Sequence, residues 1–564
     1  LKSRSRTRGT AAAAAALALS ACQGLAAAVI HVGAGGDCDA GSLGAAVTQA
    51  AATPEADEIR LNFGEGTLYD NTSLVLTDFG PGGKGSLTFI GGFGGCSDDT
   101  PTPTPVEVRG TAGDPVVTIN SVSASSVVVF RHVALQNSGT DGLVISGNST
   151  VTLDNARSLD HGGSGIRVTG INAWLDLING SRVTDNTAGG FGGGIFCQGA
   201  TVNLIAGSVS NNSAASGGGG GIYASNCYLE VQKDGFISGN TAIDGGAIYA
   251  DQGSTITITG AADGRPAINV NTATDDGGAI YAKNPGTTVF VTNGRFDGNQ
   301  AVSRGGALFI SEDALLVMSA NQARCRRPTA APTVPTKCST LIGNSMSTGG
   351  QGVAIHAASG STSYLANTYL EGNEGGDSLV YVTGADTEVY LEGLSVWNNA
   401  VAFLQDVRSS AFLTSAFVSG AHNRRDVSGT PTDADVLQIS GGNVEFHSSV
   451  YQGGSFLGTS GVTGRCLMAS ISTPLVSAVE HFTLQAAPGF IDAAGGNLRL
   501  ASDSPAIDYC DDSAYSAIWD DIDMQARGVD LAGNPDGSPG VPGGLFDLGF
   551  DEVLDGLFSD RFEQ

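Results

Sequence analysis

A short phrase returns along the middle of the chain: an Asn, a Gly-rich turn, an apolar residue and an aromatic. It runs from Asn186 to Gly194-Ile195-Phe196, from Asn212 to Gly221-Ile222-Tyr223, and from Asn240 to Gly246-Ala247-Ile248-Tyr249. It returns from Asn271 to Gly278-Ala279-Ile280-Tyr281 and from Asn299 to Gly306-Ala307-Leu308-Phe309, then fades through Asn344, Asn373 and Asn399. The first five asparagines are 26, 28, 31 and 28 residues apart. A fixed period of this length marks a repeat architecture, in which each unit buries its apolar side against its neighbours.

Between the phrases, runs such as Val116 to Ile119, Val151 to Leu153, Thr255 to Ile258 and Thr288 to Val291 are rich in Val, Ile and Thr and bounded by turn formers. Two or three such strands per period describe one coil, and coils stack about 4.8 Å apart into parallel sheets of right-handed connection. The expected fold is all-β, a right-handed parallel β-helix over residues 105–490. The recurring Asn then forms a side-chain ladder at one corner. Gly in the next turn supplies positive φ, the following Ile or Leu points inward, and the aromatic or its neighbour points outward. Ser42 to Thr53 has helix-forming composition behind an N-cap Ser, which suits a lid at the start of the shaft, with residues 29–104 forming this cap and the first rungs.

Composition narrows the partners. With 27 basic against 55 acidic residues, nucleic acid is excluded as a partner, and cations are attracted. Residues 1–28 read as a targeting segment: Lys2, Arg4, Arg6 and Arg8 precede a short Ala-rich apolar run. Cleavage after Ala26-Ala27-Ala28 and lipid attachment at Cys22 are both open, and the run is too short to span a bilayer in the mature chain. Eight cysteines remain, an even number that in an exported chain reads as disulfides. Cys325 and Cys338 bracket a short loop, Cys197 and Cys227 fall in consecutive units, and Cys38–Cys96 and Cys466–Cys510 follow by elimination.

The period breaks once, by 45 residues between Asn299 and Asn344. The insertion, about residues 321–340, carries Arg324, Arg326 and Arg327 and is expected to project as a disulfide-closed loop. It is either a tolerated decoration or a contact for an anionic glycan or partner. Beyond residue 490 the rung pattern stops, and residues 491–552 are expected to form a C-terminal cap or stalk ahead of a tail at 553–564.

The Gly-Gly-Ala-Ile repeats and Phe296-Asp297-Gly298-Asn299 resemble the polymorphic outer membrane protein repeat, with its GGA[ILV] and FxxN motifs. Ser504-Pro505-Ala506-Ile507-Asp508, Asp521 to Arg527 and Asp547 to Glu552 resemble the choice-of-anchor Q region of bacterial surface β-helix proteins. The fold is also the one used by pectate lyases and their relatives, so an active site must be sought. Asp160-His161 with Arg167 is the nearest look-alike, yet His161 falls 24 residues after Asn137 and 25 before Asn186, in the ladder's own slot. Asp275 and Asp276 align with Asp244 one rung earlier and Arg304 one rung later; carboxylates on adjacent rungs suit turn chemistry, Ca²⁺ or a sugar. Asp520, Asp521 and Asp523 have metal-like spacing without the Gly a calcium loop needs. The expectation is therefore a non-catalytic, exported surface or secreted protein that binds a polysaccharide or a cell-surface partner and needs no cofactor. The alternatives are a polysaccharide lyase or hydrolase and a structural spacer of the envelope.

Overall fold

The computed structural model describes residues 28–507 apart from 53–54, 64–68, 78–85, 261–263, 321–337, 426–431, 459, 471–478 and 485–487, together with residues 509, 547 and 548. The chain coils into a parallel β-solenoid of about 14 turns. One turn places Ile222–Ser225 in a first sheet, Tyr228–Gln232 in a second and Phe236–Ser238 in a third, followed by the two-residue strand Thr241–Ala242. Each strand pairs in parallel with its equivalent one turn on, as Ile222 with Ile248, Tyr228 with Thr255, and Phe236 with Ala267.

Alternation explains the sheets. In Thr255–Thr259, Ile256 and Ile258 are fully buried while the three threonines face outward. Val202, Leu229, Ile256, Val289 and Leu316 thus form one continuous internal column. Each such side chain contributes about 1.5–3 kcal/mol when removed from water. At the N-terminal end, the helix Leu43–Ala50 starts at Ser42, whose Oγ accepts from the Ala45 N–H at 3.2 Å, and lays Leu43, Ala46 and Ala50 over the core.

The ladder corner is built from two successive residues. The first is left-handed: Asp185, Asn211, Gly239, Val270, Gly298, Gly343, Gly372 and Asn398 all have φ between 53° and 67°. The second is the ladder Asn. Asn240 Oδ1 accepts from the Asn212 backbone N–H at 2.9 Å and from its side-chain amide at 3.0 Å, while Asn240 Nδ2 donates to Val209 O and to Asn271 Oδ1. The pattern repeats to Asn399 and then to Asn423, one rung past the last one read from the sequence. It crosses the 45-residue break unaltered, since Asn299 N donates to Asn344 Oδ1 at 2.9 Å. The insertion therefore leaves the shaft in register.

The Gly-Gly pair has two separate jobs. Gly277 takes the left-handed turn at φ 65°, while a Cβ on Gly278 would lie 2.1 Å from Gly306 O of the next rung. Only hydrogen fits there.

Past the last turns, Phe490–Asp492 and Asn497–Leu500 form an antiparallel hairpin. It does not continue the shaft axis. Leu498 packs against Cys338, Tyr369 and Ala421, and Trp397 Nε1 donates to Ala493 O at 2.8 Å. The described part of the C-terminal region thus lies along the flank of the third sheet rather than across its end.

Candidate functional site

The outward side of the first sheet and the turns that lead into it carry Arg167, Asp244, Asp275, Asp276 and Arg304, singled out in the sequence. The second strand position of this sheet carries Phe196, Tyr223, Tyr249, Tyr281, Phe309, His356 and Tyr381 on successive turns. Their rings stack in one file with centroids 4.7–5.6 Å apart. The expectation that they point away from the core holds, but they are not a free surface. Tyr249, Tyr281 and Phe309 are 6, 8 and 2% exposed and make a second small core under the Gly-rich turns. Burial lifts the Tyr249 and Tyr281 hydroxyls above the usual phenol range. The Arg167 guanidinium caps one end of the file, 4.2 Å from the Phe196 ring, and is itself held by Asp141.

Beside this file runs the column Asp244, Asp276, Arg304 and Gln351, linked turn to turn through backbone bonds. Arg304 makes a two-pronged ion pair with Asp276, with Nε 3.0 Å from Oδ1, and lies 4.6 Å over the Phe309 ring. Asp276 is 2% exposed. Asp244 accepts from the Asp276 backbone N–H at 3.3 Å, and burial followed by the neighbouring Asp276 carboxylate pushes its pKa up to about 6. The carboxylate oxygens of Asp244, Asp275 and Asp276 lie within 4.8 Å of one another. Hard oxygen donors of this kind suit Ca²⁺, which takes six to eight of them. Paired hydrolytic carboxylates need both groups open to the sugar, and here Arg304 and burial close Asp276.

His161 is a ladder member. Its Nδ1 accepts from the Ser138 N–H at 3.1 Å, its Nε2 faces Leu135 O at 3.1 Å, and its own N–H donates to Asn186 Oδ1. Both ring nitrogens are engaged, and burial holds its pKa down to about 4. The preceding slot belongs to Ser138, not Asn137, because Asn137 is the left-handed residue of that corner at φ 59°.

Cys38 is bonded to Cys96 and Cys197 to Cys227, and Cys338 and Cys466 are also disulfide-bonded. Arg324, Arg326, Arg327, Cys325, Cys510, Cys22 and Asp520 to Asp523 lie outside the described residues. Among the described residues no helix is long and apolar enough to cross a membrane. Lys283, 5.7 Å from the Tyr249 ring, and Asp251, 3.4 Å from the Tyr223 hydroxyl, complete the polar rim and carried no sequence signal of their own.

Residues 234–251, which contain Asn240 and Gly245-Gly246-Ala247-Ile248, match the Chlamydia polymorphic membrane protein repeat. Both motif features have structural roles: the Asn is a ladder rung and the Gly pair is the close-packed turn. The chain is 31% identical over 173 residues to the probable outer membrane protein pmp8 of Chlamydia pneumoniae. That match takes in 28% of this chain and only 18% of the relative, so the chain is similar to this protein over a fraction of its length.

Proposed function

We propose that this chain is a non-catalytic β-solenoid of the bacterial surface, whose rigid shaft presents a binding face to a polysaccharide or cell-surface partner. The observation that carries the reading is the commitment of the candidate catalytic groups to structure. His161 is spent on the ladder, Asp276 on Arg304, and the aromatic file on its own stacking. Repetition of the same contacts over many turns yields a long, stiff rod.

Location at or beyond the cell surface is supported by the Cys38–Cys96 and Cys197–Cys227 bonds, which persist in oxidising compartments, and by the printed name of the pmp8 relative. The targeting segment at 1–28, lipid attachment at Cys22, the choice-of-anchor Q resemblance and an anion-binding role for Arg324, Arg326 and Arg327 belong to the same proposal. Protease shaving of intact cells, with immunodetection of the shaft, tests it: loss of the full-length band from unbroken cells is expected. Protection until lysis would remove the surface reading, and release of reducing or unsaturated ends from polysaccharides would replace it with an enzyme.

A further inference from the structure

The three sheets differ in what covers their outer sides. The first is filled by the aromatic file, and the third is overlain by the C-terminal hairpin along part of its length. The second sheet carries neither across eight successive strands, from Trp174–Ile178 to Glu388–Glu392. None of the outward side chains on these strands is Lys or Arg. Threonine fills all the outward positions of the fourth strand, Thr255, Thr257 and Thr259, and flanks Phe290 on the fifth as Thr288 and Thr292.

Large aromatics break this surface at a regular interval. Trp174, Tyr228, Phe290 and Tyr364 stand on the first, third, fifth and seventh strands, and each is 38–40% exposed. Tyr390, on the eighth, extends the last one by stacking on Tyr364 at 4.6 Å and 9°. Exposed aromatics scattered singly need no explanation. Four of them at alternate turns of one face form a pattern, repeating about every 9.6 Å along the axis, with Trp174 and Tyr228 in one outward column and Phe290 and Tyr364 in the adjacent column two residues on. That interval is close to the length of a disaccharide unit in an extended β-linked glycan. Between the rings lie acceptors rather than cations: Asp176 takes bonds from Trp174 Nε1 at 2.6 Å and Asn203 Nδ2 at 2.8 Å, and Glu388 accepts from Tyr390 Oη at 2.9 Å.

We propose that the outer face of the second sheet binds an extended, uncharged β-linked polysaccharide lying along the solenoid axis, with Trp174, Tyr228, Phe290 and Tyr364 each stacking under alternate sugars. This rests on the binding reading given above and names its ligand class. Sugar C–H faces pack on aromatic rings, and the ring of hydroxyls they carry donates to the interspersed carboxylates and threonines. Charge selects the class: carboxylates without cations repel uronic-acid or sulfated chains and leave neutral ones.

Co-sedimentation of the full chain with cellulose, chitin and mannan, beside affinity electrophoresis in soluble polygalacturonate, tests it. Retention by at least one neutral β-linked polymer is expected, falling at least tenfold in the W174A/Y228A/F290A/Y364A variant. A single Trp174→Ala variant falling by a smaller factor guards against misfolding of the quadruple one, whose circular dichroism should match the parent. Retention unchanged in both variants would overturn the proposal, as would binding confined to the anionic polymer. Cell binding that survives in the quadruple variant would sink this face while leaving a binding function standing; no binding to any glycan or cell would sink both. A dimer that becomes monomeric in the quadruple variant, without glycan retention, would reassign the face to self-association.

Discussion

The backbone N–H of His161 donates to Asn186 Oδ1 at 3.1 Å, placing a histidine between Ser138 and the run of asparagines that continues the column. An imidazole can hold this position because neutral His offers one acceptor and one donor, as an amide does. It differs from the amide in being able to take up a proton.

Acid should therefore weaken the N-terminal part of the ladder. The unfolded chain protonates His161 near 6.5 and the folded chain only near 4, so its contribution is complete above pH 6.5 and is lost as pH falls towards 4. The span corresponds to about 3 kcal/mol. His161→Asn should flatten the decline of melting temperature between pH 7 and 4.5. An unchanged decline would show that the imidazole is not the acid-sensitive group.

Removing one rung of the ladder should cost more than a surface polar residue does. Asn240→Ala strands the Asn212 N–H and Val209 O, both buried, which predicts a loss of about 2–4 kcal/mol. Asn240→Asp keeps the shape but cannot donate to Val209 O or Asn271 Oδ1, and it buries a charge. Chemical denaturation should rank Asp below Ala; the reverse order would argue that the amide donors are dispensable.

Val270 is out of place. It occupies the left-handed corner at φ 55°, where the rungs on either side have Gly239 and Gly298, and its side chain is largely exposed. L-residues pay about 1–2 kcal/mol for that conformation, and Asn tolerates it best among those with a side chain. Val270→Asn is expected to raise stability by about 1 kcal/mol. A lower melting temperature would mean that Val270 makes a contact worth more than its strain.

The carboxylate cluster predicts the opposite pH trend from His161. Asp244 ionises near 3.8 when unfolded and near 6 when folded, so its effect on stability becomes less favourable as pH rises through that window and stays so above it. Asp244→Asn retains the acceptor for the Asp276 N–H and should add about 1 kcal/mol at pH 7, allowing for solvent screening, and nothing at pH 4. Equal effects at both values would detach the cluster from the titration.

How far the chain could be read without coordinates depended on whether a feature repeats in sequence. The ladder was legible because each turn needs the same amide at the same corner, and the Gly pair because close backbone approach admits no other residue. Asn423 escaped notice because neither a Gly pair, as after Asn373, nor an apolar run, as after Asn399, follows it. Ser138 was displaced by Asn137 because both residues of a corner tolerate Asn for different reasons. The alignment of Asp244, Asp276 and Arg304 was visible from their place before Gly-Gly, but the closure of Asp276 by Arg304 required the side chains. The aromatics of the second sheet stayed hidden because unequal loops blur the register between distant rungs, and their positions shift from one outward column to the next.

The C-terminal hairpin sets where this architecture can change length. Its Leu498 and Ala493 reach back to Cys338, Tyr369, Trp397 and Ala421, rungs made long before it in the chain. A turn duplicated between residues 161 and 320 would only push the two ends apart. A turn duplicated between Tyr369 and Ala421 would pull the hairpin out of step with its seats. Natural variants of this shaft should therefore gain and lose turns in the first half, while the second keeps a fixed count.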